Sequence, residues 1–135
     1  MAKISFDGLT DYIKQLEELG ADVDKAARYA VYPAAGYVLE ELKAATPVDT
    51  GDLRNSERLT KFVSESDSVY TTIIFDGVDR KGVANELKAR VLESGSSKRK
   101  KQPFIRPTLR RISERANQMM REKMDEYIKN LMEGK

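Results

Sequence analysis

The side chains that could do chemistry here are carboxylates, hydroxyls, lysines, arginines and tyrosines, because the 135-residue chain has no cysteine and no histidine. Thiolate nucleophiles, imidazole bases and metal sites with Cys or His ligands are therefore excluded. The tripeptide Asp49-Thr50-Gly51 follows an apolar residue, as on the active-site loop of an aspartic protease, where two aspartates share a proton. That fold is nearly all β, whereas this tripeptide follows a predicted helix. We interpret it as a turn, in which Asp49 hydrogen-bonds its own backbone and Gly51 takes a positive φ.

A basic tract is the second candidate. Seven cations and no acid lie between residues 98 and 113, namely Lys98, Arg99, Lys100, Lys101, Arg106, Arg110 and Arg111. Such a run can neutralise phosphates, but it is equally typical of a solvated, flexible loop, which we place at about residues 94–102. Contact with an acidic protein surface is the next alternative, and contact with nucleic acid is the third. A formal net charge of only +2 argues against DNA binding as the main role.

Two groups of acids could act as metal ligands. The first contains Asp49, Asp52 and Glu57, and the second contains Asp76, Asp79 and Glu86. Neither group has the spacing of a calcium loop, which places oxygen ligands at alternate positions and a bidentate glutamate at the twelfth. We interpret both groups as scattered surface acids, and we expect neither a metal nor another cofactor.

The apolar periodicity predicts the elements that must position these residues. The predicted helices cover residues 9–19, 22–45, 83–92 and 107–131. The predicted strands cover 58–65 and 69–75 and are joined near Ser66-Asp67-Ser68. Pro33 lies inside the second helix, where we expect a kink or a break. Long helices flanking a small antiparallel hairpin make an α+β fold, and the length fits one domain over residues 1–135.

The spacing of apolar residues also predicts which side of each helix faces the core. On the third predicted helix these residues are Val83, Leu87, Val91 and Leu92. On the last helix they are Leu109, Ile112, Ala116, Met119, Met120, Lys123, Tyr127 and Leu131. The second helix has an alanine-rich face, which allows another helix to approach closely.

Membrane insertion and secretion are both disfavoured by the sequence. No segment approaches the roughly 20 apolar residues of a membrane span. The first residues lack the apolar run of a secretory signal. We therefore expect a soluble chain of cytoplasmic origin that has no membrane partner.

Two segments resemble the signatures of one known family. The first is Ala45-Thr46-Pro47-Val48-Asp49-Thr50-Gly51-Asp52-Leu53-Arg54-Asn55-Ser56, and the second joins Leu92-Glu93-Ser94-Gly95-Ser96 to Gln102-Pro103-Phe104-Ile105-Arg106-Pro107. They are similar to the "gene product ten" tail-component family of lambdoid-type phages, also called head–tail joining or tail-completion proteins. The second segment departs from the family pattern at Ser94, Ser96 and Thr108, where an aromatic residue, threonine and alanine are usual.

The resemblance implies a structural protein of the virion and no enzymatic activity. It implies an action late in assembly, in tail completion or head–tail joining at the neck, in contact with other tail or neck proteins. Such proteins generally form homo-oligomeric rings, often of six subunits, and a ring requires heterologous interfaces that close. Assembly would take place in the host cytoplasm. The alternative is a DNA-associated packaging or regulatory protein that uses the basic tract.

We expect both signatures to be architectural. Their candidate residues are Pro47, Asp49, Thr50, Gly51, Leu53, Arg54, Ser56, Glu93, Gly95, Pro103, Phe104 and Pro107. Leu53 is expected to enter the core, and Arg54 to pair with a carboxylate such as Glu93. Phe104 would anchor the last helix, which Pro107 would begin.

The basic residues of the second signature region are expected at an interface. They are Lys98, Arg99, Lys100, Lys101 and Arg106. Exposed cations of this kind can contact either a neighbouring subunit or another neck protein. We therefore expect replacement of the loop cations by serine to affect head–tail joining.

Overall fold

A computed structural model describes residues 2–7, 9–65 and 67–134, in which five helices accompany a small antiparallel sheet. In chain order the elements are β1 (Ala2–Phe6), α1 (Thr10–Glu18), α2 (Val23–Ala45), α3 (Asp52–Asn55), β2 (Glu57–Leu59), β3 (Val63–Ser64), β4 (Val69–Phe75), α4 (Asn85–Ser94) and α5 (Ile105–Met132). The α+β fold predicted from the periodicity is confirmed. The chain turns where we expected, because the Glu65 backbone N–H donates to the Ser68 carbonyl (2.8 Å), and of the predicted turn residues only Ser66 lies outside the described part. None of the described helices is long and apolar enough to cross a membrane.

Helix α2 is the centre of the packing. It contacts β1, β2 and β4 of the sheet, and it also packs along α5. The two long helices run antiparallel. Arg111 pairs with Glu41 towards one end (3.0 Å), and at the other end the rings of Tyr127 and Tyr29 lie 5.3 Å apart. Five alanines of α2 are fully buried (Ala26, Ala27, Ala30, Ala34 and Ala35), and their small side chains allow close approach of the neighbouring elements.

Helix α2 continues through Pro33, so the chain does not break there. A proline inside a helix removes one backbone hydrogen bond and costs about 3 kcal/mol. Val31, two residues before Pro33, and Ala34, directly after it, are completely buried. Burial before and after Pro33 holds the helix together despite the missing hydrogen bond.

The central strand of the sheet is β4. It pairs antiparallel with β1 along one edge and with β2 and β3 along the other. Its residues alternate between buried and half-buried positions, as predicted. Strand β1 is absent from the predicted elements, although Ala2, Ile4 and Phe6 alternate and are buried. This alternation over five residues is long enough to indicate a half-buried strand, so the sequence carried a signal that the prediction missed.

The predicted strand over residues 58–65 is two short strands with a bulge between them. Leu59 faces Ile73 and Val63 faces Tyr70. Val63 is four residues after Leu59, whereas their partners Ile73 and Tyr70 are only three residues apart on β4. One extra residue on the outer strand is the mark of a β-bulge, which divides the predicted strand into β2 and β3.

Helix α4 turns a different side to the core than predicted. Val83 and Leu87 are 40% and 50% exposed. The buried residues are Asn85, Ala89, Leu92 and Glu93, so only Leu92 of the predicted set is buried. The reason is polar: the Asn85 backbone N–H donates to the Gly77 carbonyl (3.0 Å) and its side-chain amide donates to the Asp76 carbonyl (2.9 Å). These bonds draw the Asn85 side of the helix inwards.

Helix α5 begins at Ile105, two residues before the predicted start at Pro107. Its buried residues are Ile105, Thr108, Ile112, Ala116, Met120, Met124 and Ile128. The predicted stripe is right in its middle part, whereas Leu109, Met119, Tyr127 and Leu131 are half-buried at its margin. Lys123 does not belong to the core, because its ammonium group pairs with Glu126 at 3.0 Å.

Candidate functional site

The signature loop, residues 46–56, turns the chain between α2 and β2. Thr46 ends α2 in an extended conformation, and Gly51 has a φ of +89°, where a side chain would be strained. We expected Asp49 to bond the turn backbone. The structure gives this role to Thr50, whose Oγ1 accepts a hydrogen bond from the backbone N–H of Asp52 (3.3 Å). Helix α3 begins directly after Gly51.

Leu53 and Arg54 fasten the signature loop to the rest of the fold. The Leu53 side chain is buried, and the Ser56 hydroxyl donates to the Leu53 carbonyl at 2.6 Å. The Nε of Arg54 donates to the carbonyl of Lys43 (3.1 Å), in the last turn of α2. The expected pair between Arg54 and Glu93 is therefore wrong, because the guanidinium group bonds the carbonyl end of α2.

A bidentate ion pair joins the signature loop to the turn before α4. The Nε and Nη2 of Arg80 lie 2.9 and 2.7 Å from the two carboxylate oxygens of Asp52, and the Arg80 backbone N–H is 3.1 Å from Oδ2. These bonds hold the pKa of Asp52 well below its usual range. Asp79 in the same turn pairs with Lys88 at 2.8 Å. Among the residues that the structure describes, no group of three or more acids is arranged to hold a metal ion.

Glu57 is a buried carboxyl group beside the C-terminal end of α2, and not the surface acid that we expected. It is 3% exposed; Oε2 lies 2.6 Å from the Thr46 hydroxyl, and Oε1 has no hydrogen-bond partner among the described residues. Burial raises the pKa of Glu57 to about 7. The Thr46 hydroxyl also lies 2.7 Å from the Leu42 carbonyl. Since a hydroxyl has one proton, Thr46 can donate to Leu42 and accept from a protonated Glu57.

Glu93 closes the N-terminal end of α5. Its Oε1 accepts hydrogen bonds from the backbone N–H groups of Phe104 and Ile105 (2.8 Å each), and its Oε2 accepts from that of Arg106 (3.0 Å). The first N–H groups of a helix have no partner inside the helix, and a negative charge is favourable there. Burial acts to raise the pKa of Glu93, but the three N–H donors outweigh it and the pKa lies below its usual value.

The basic loop, residues 96–102, folds back against the end of α4. Gly95 ends α4 with a φ of +78°. A Cβ atom at this position would lie 3.0 Å from the backbone nitrogen of Lys101 and 3.3 Å from the carbonyl oxygen of Arg99. The backbone N–H of Gln102 donates to the Leu92 carbonyl at 2.6 Å. The loop is therefore closed by backbone contacts that leave no space for a side chain at Gly95.

Phe104 joins the start of α5 to the end of the sheet. Its side chain is buried, and its ring meets that of Phe75 edge-on with 5.9 Å between centroids. Pro103 and Pro107 are exposed. Pro107 is the third residue of α5 and not the first, and its missing N–H still falls in the first turn, where a helix needs none.

The two signature segments line one groove, which we call the signature groove. It has a volume of about 630 Å³ and lies between the signature loop, α4 and the basic loop. Val48, Val83 and Leu87 line it with 56%, 40% and 50% of their surface exposed. Arg99 and Gln102 of the basic loop also line it. Exposed apolar side chains with a polar rim are typical of a surface that binds another protein.

The five basic candidates are exposed (Lys98, Arg99, Lys100, Lys101 and Arg106). Within the described part of the chain, the ion pairs involve other cations. The four charges of the basic loop are thus available to a partner, whereas the charge of Arg106 also stabilises the ionised form of Glu93.

Sequence reasoning missed two residues that hold this region together. Arg80 is 28 positions from Asp52, and nothing in the spacing could have predicted their pairing. Glu57 left a usable signal, because it alternates with Leu59 and so lies on the inward side of β2.

Comparison with known proteins gives one family match. The family model described as "Bacteriophage HK97-gp10, putative tail-component" matches residues 10–95, which is more than half of the chain. The match includes the whole signature loop and the second signature segment as far as Gly95, and it ends before Gln102. No curated protein and no solved structure matches the chain.

Proposed function

The chain belongs to the HK97 gp10-like family of phage tail components, and on this premise we propose that it acts in tail completion or head–tail joining at the neck. Members of such a family are structural parts of the virion. In our proposal the chain works as a homo-oligomeric ring, assembled in the host cytoplasm, that contacts other tail or neck proteins. Family membership is the observation that carries the proposal.

The rigidity of the signature groove supports an assembly role. Its walls are fixed by the Asp52–Arg80 ion pair and by the bonds that Glu93 accepts from α5. A surface that is already ordered loses little conformational entropy when a partner binds. The groove is therefore suited to recognise another protein without rearrangement.

We propose no catalytic role for Asp52 and Asp79, two acids that line the groove. Asp52 and Asp79 are held by Arg80 and Lys88. The hydrogen bond from Lys88 lowers the pKa of Asp79, and the bonds from Arg80 lower that of Asp52. A general acid or base at neutral pH needs a pKa near 7. The pKa values of Asp52 and Asp79 would have to be raised for this, and the structure lowers them.

The basic loop is our proposed contact with a neighbouring subunit or neck protein. One of its four cations, Arg99, lines the signature groove. None of the four has an acid partner among the ion pairs of the described chain. Charges at the rim of an interface chiefly set the rate and specificity of association.

Complementation of a phage that lacks this gene tests the proposal. We expect the wild-type chain to restore complete particles, and the variant K98S/R99S/K100S/K101S to leave separate heads and tails visible by electron microscopy. The matched control K14S/K25S/K61S/K129S removes four exposed cations elsewhere and should restore joining. Normal joining by the first variant would remove the basic loop from the proposal. Failure of the wild-type chain to affect joining would remove the function itself.

The alternative is a DNA-associated packaging or regulatory protein, which the run of seven cations without an acid favours. Binding of random duplex DNA distinguishes it. A protein that neutralises about six phosphates loses roughly 1000-fold in affinity between about 50 and 200 mM salt. A weak affinity without this steep dependence would exclude the alternative.

A further inference from the structure

Charge is distributed unevenly along this chain. Residues 98–113 hold seven of the 24 cations and none of the 22 acids, so the rest of the chain has 17 cations against 22 acids, a formal charge of −5. Residues 7–24 hold six acids and a single cation, Lys14. The near-neutral total of +2 therefore combines a basic segment with an acidic one.

The basic and acidic segments lie at opposite ends of α2. This helix has 23 residues and is about 34 Å long. The acidic segment precedes and begins it. The first turns of α5 lie near its other end, because Arg111 pairs with Glu41 at 3.0 Å. The loop after β3 returns to the acidic side, where the backbone N–H of Leu9 donates to the Asp67 carbonyl (3.1 Å).

Both ends present exposed charges. We define the acidic end as Asp7, Asp11, Glu17, Glu18, Glu65 and Asp67, and the basic end as Lys98, Arg99, Lys100, Lys101, Arg106 and Arg110. All twelve side chains belong to exposed residues. None of them enters an ion pair within the described residues. Each end therefore exposes six charges of one sign, while the acidic segment also holds Lys14 and Arg106 of the basic end also attracts the Glu93 carboxylate.

We propose that the basic end of one copy docks on the acidic end of a second copy. This inference rests on the proposed ring and specifies which surfaces form its subunit contact. Such a contact is heterologous: every added copy leaves one free end of each sign, so the contact can repeat until the ring closes. A second copy fits better than DNA, because the chain supplies the complementary surface itself and its remaining net charge of −5 repels a polyanion.

The signature groove adds apolar area next to the basic end. Arg99 lines the groove together with Val83 and Leu87. The acidic end offers Leu19, which is 38% exposed and directly follows Glu18. Charge then orients the two copies, and burial of Leu19 against the groove contributes affinity.

Salt dependence of self-association is the first test. Exposed charges are screened over about 10 Å at 0.1 M salt and about 3 Å at 1 M. We expect the wild-type chain to self-associate at 0.1 M NaCl, with a dissociation constant at least about tenfold higher at 1 M, measured by size-exclusion chromatography with light scattering. A wild-type chain that is monomeric at both concentrations would overturn the docking.

Charge reversal is the second and sharper test. The variants are K98E/R99E/K100E/K101E at the basic end and E17K/E18K/E65K at the acidic end. We expect each alone to be monomeric at 0.1 M NaCl, and an equimolar mixture of the two to form a complex that contains both. The control K25E/K61E/R115E/K129E makes the same change in net charge as the basic-end variant, at exposed residues outside both ends, and should still self-associate. Circular dichroism and thermal unfolding check that all variants remain folded.

The outcomes separate this inference from the proposed function. Self-association that survives both reversals would overturn the end-to-end contact and leave a ring with other surfaces. Preferential binding of duplex DNA to the basic end, unchanged by the acidic-end variant, would overturn it in favour of nucleic acid. Failure of the wild-type chain in complementation would count against the neck role, whereas the mixing result depends only on the two ends.

Discussion

Glu57 and Glu93 are both buried, 3% and 8% exposed, but their surroundings treat the negative charge in opposite ways. Glu93 accepts three backbone N–H bonds, and its pKa lies below its usual value although burial acts to raise it. Glu57 has one hydroxyl neighbour and an oxygen without a partner, and burial raises its pKa to about 7. The comparison indicates that the number of available donors, and not burial alone, decides which form of a buried carboxyl is favoured.

The polarity of the adjacent helix ends explains the difference. Glu93 faces the N-terminal end of α5, where free N–H groups carry partial positive charge. Glu57 lies beside the C-terminal end of α2, where carbonyl oxygens carry partial negative charge. We call the first region the α5 corner and the second the α2 corner. They should respond differently to mutation and to pH.

The largest loss is expected in the α5 corner from Phe104→Ala. This change removes a buried ring that packs on Phe75 and should lower the free energy of unfolding by about 3–5 kcal/mol, measured by urea denaturation. The half-buried Phe62 provides the control, and Phe62→Ala should cost clearly less. Equal losses for the two variants would contradict an anchoring role for Phe104.

The next largest loss is expected from Glu93→Ala. It leaves three N–H groups of α5 without their acceptor and should cost about 2–4 kcal/mol at pH 7. Glu93→Gln keeps one acceptor oxygen and should lose less. Because the pKa of Glu93 is lowered, its contribution is present above the unfolded value of 4.5 and is lost as pH falls through the folded value. A loss that is the same at pH 3 and pH 7 would argue against this role.

In the α2 corner, Gly51→Val should cost about 1–3 kcal/mol, because a branched residue is strained at a φ of +89°. Space is not the cause, since the nearest atom to an added Cβ is 3.7 Å away. Gly36 lies inside α2 with no neighbour within 4 Å of an added Cβ. Gly36→Ala should therefore be neutral or slightly stabilising. A Gly51→Val protein as stable as the wild type would show that the turn is assigned wrongly.

The smallest change at acidic pH is expected from Glu57→Gln, within about 1 kcal/mol, since glutamine resembles the protonated acid. The contribution of Glu57 to the free energy of unfolding changes with pH in the opposite direction to that of Glu93. A raised pKa means that the contribution of Glu57 is fully present below pH 4.5 and is lost as pH rises through about 7. Urea denaturation across this range should show the wild-type stability falling relative to that of the variant. Parallel pH profiles would contradict a buried, protonated Glu57.

Elements with long apolar periods could be predicted from the sequence, and most short or polar ones could not. The full length of β4 and most of α2 and α5 follow from periodicity. The bulge and β3 involve too few residues to leave such a signal, whereas the alternation of β1 over five residues was a signal that the prediction missed. The orientation of α4 depends on two hydrogen bonds from Asn85, which no apolar pattern reports.

The candidate site was predictable in its turns but not in its partners. Pro47, Thr50 and Gly51 indicated the turn, because the backbone preferences of these residue types act locally. The partner of Arg54 is a carbonyl of α2, and the partners of Glu93 are N–H groups of α5. Every residue has the same backbone N–H and carbonyl groups. The residue types therefore do not reveal whether a charged side chain will bond a helix end or an oppositely charged side chain.

The pairing of β1 with β4 has a consequence for the order of folding. Residues Ala2–Phe6 pair with Val69–Ile73, so this edge of the sheet closes a loop of more than 60 residues. Closing so long a loop lowers the conformational entropy of the chain before the strand pairing contributes stability. Contacts between residues this far apart in sequence therefore form late in folding. During synthesis β1 leaves the ribosome first but has no partner until β4 has emerged. Helices α1 and α2 can therefore form and pack while the first strand of the sheet is still unpaired.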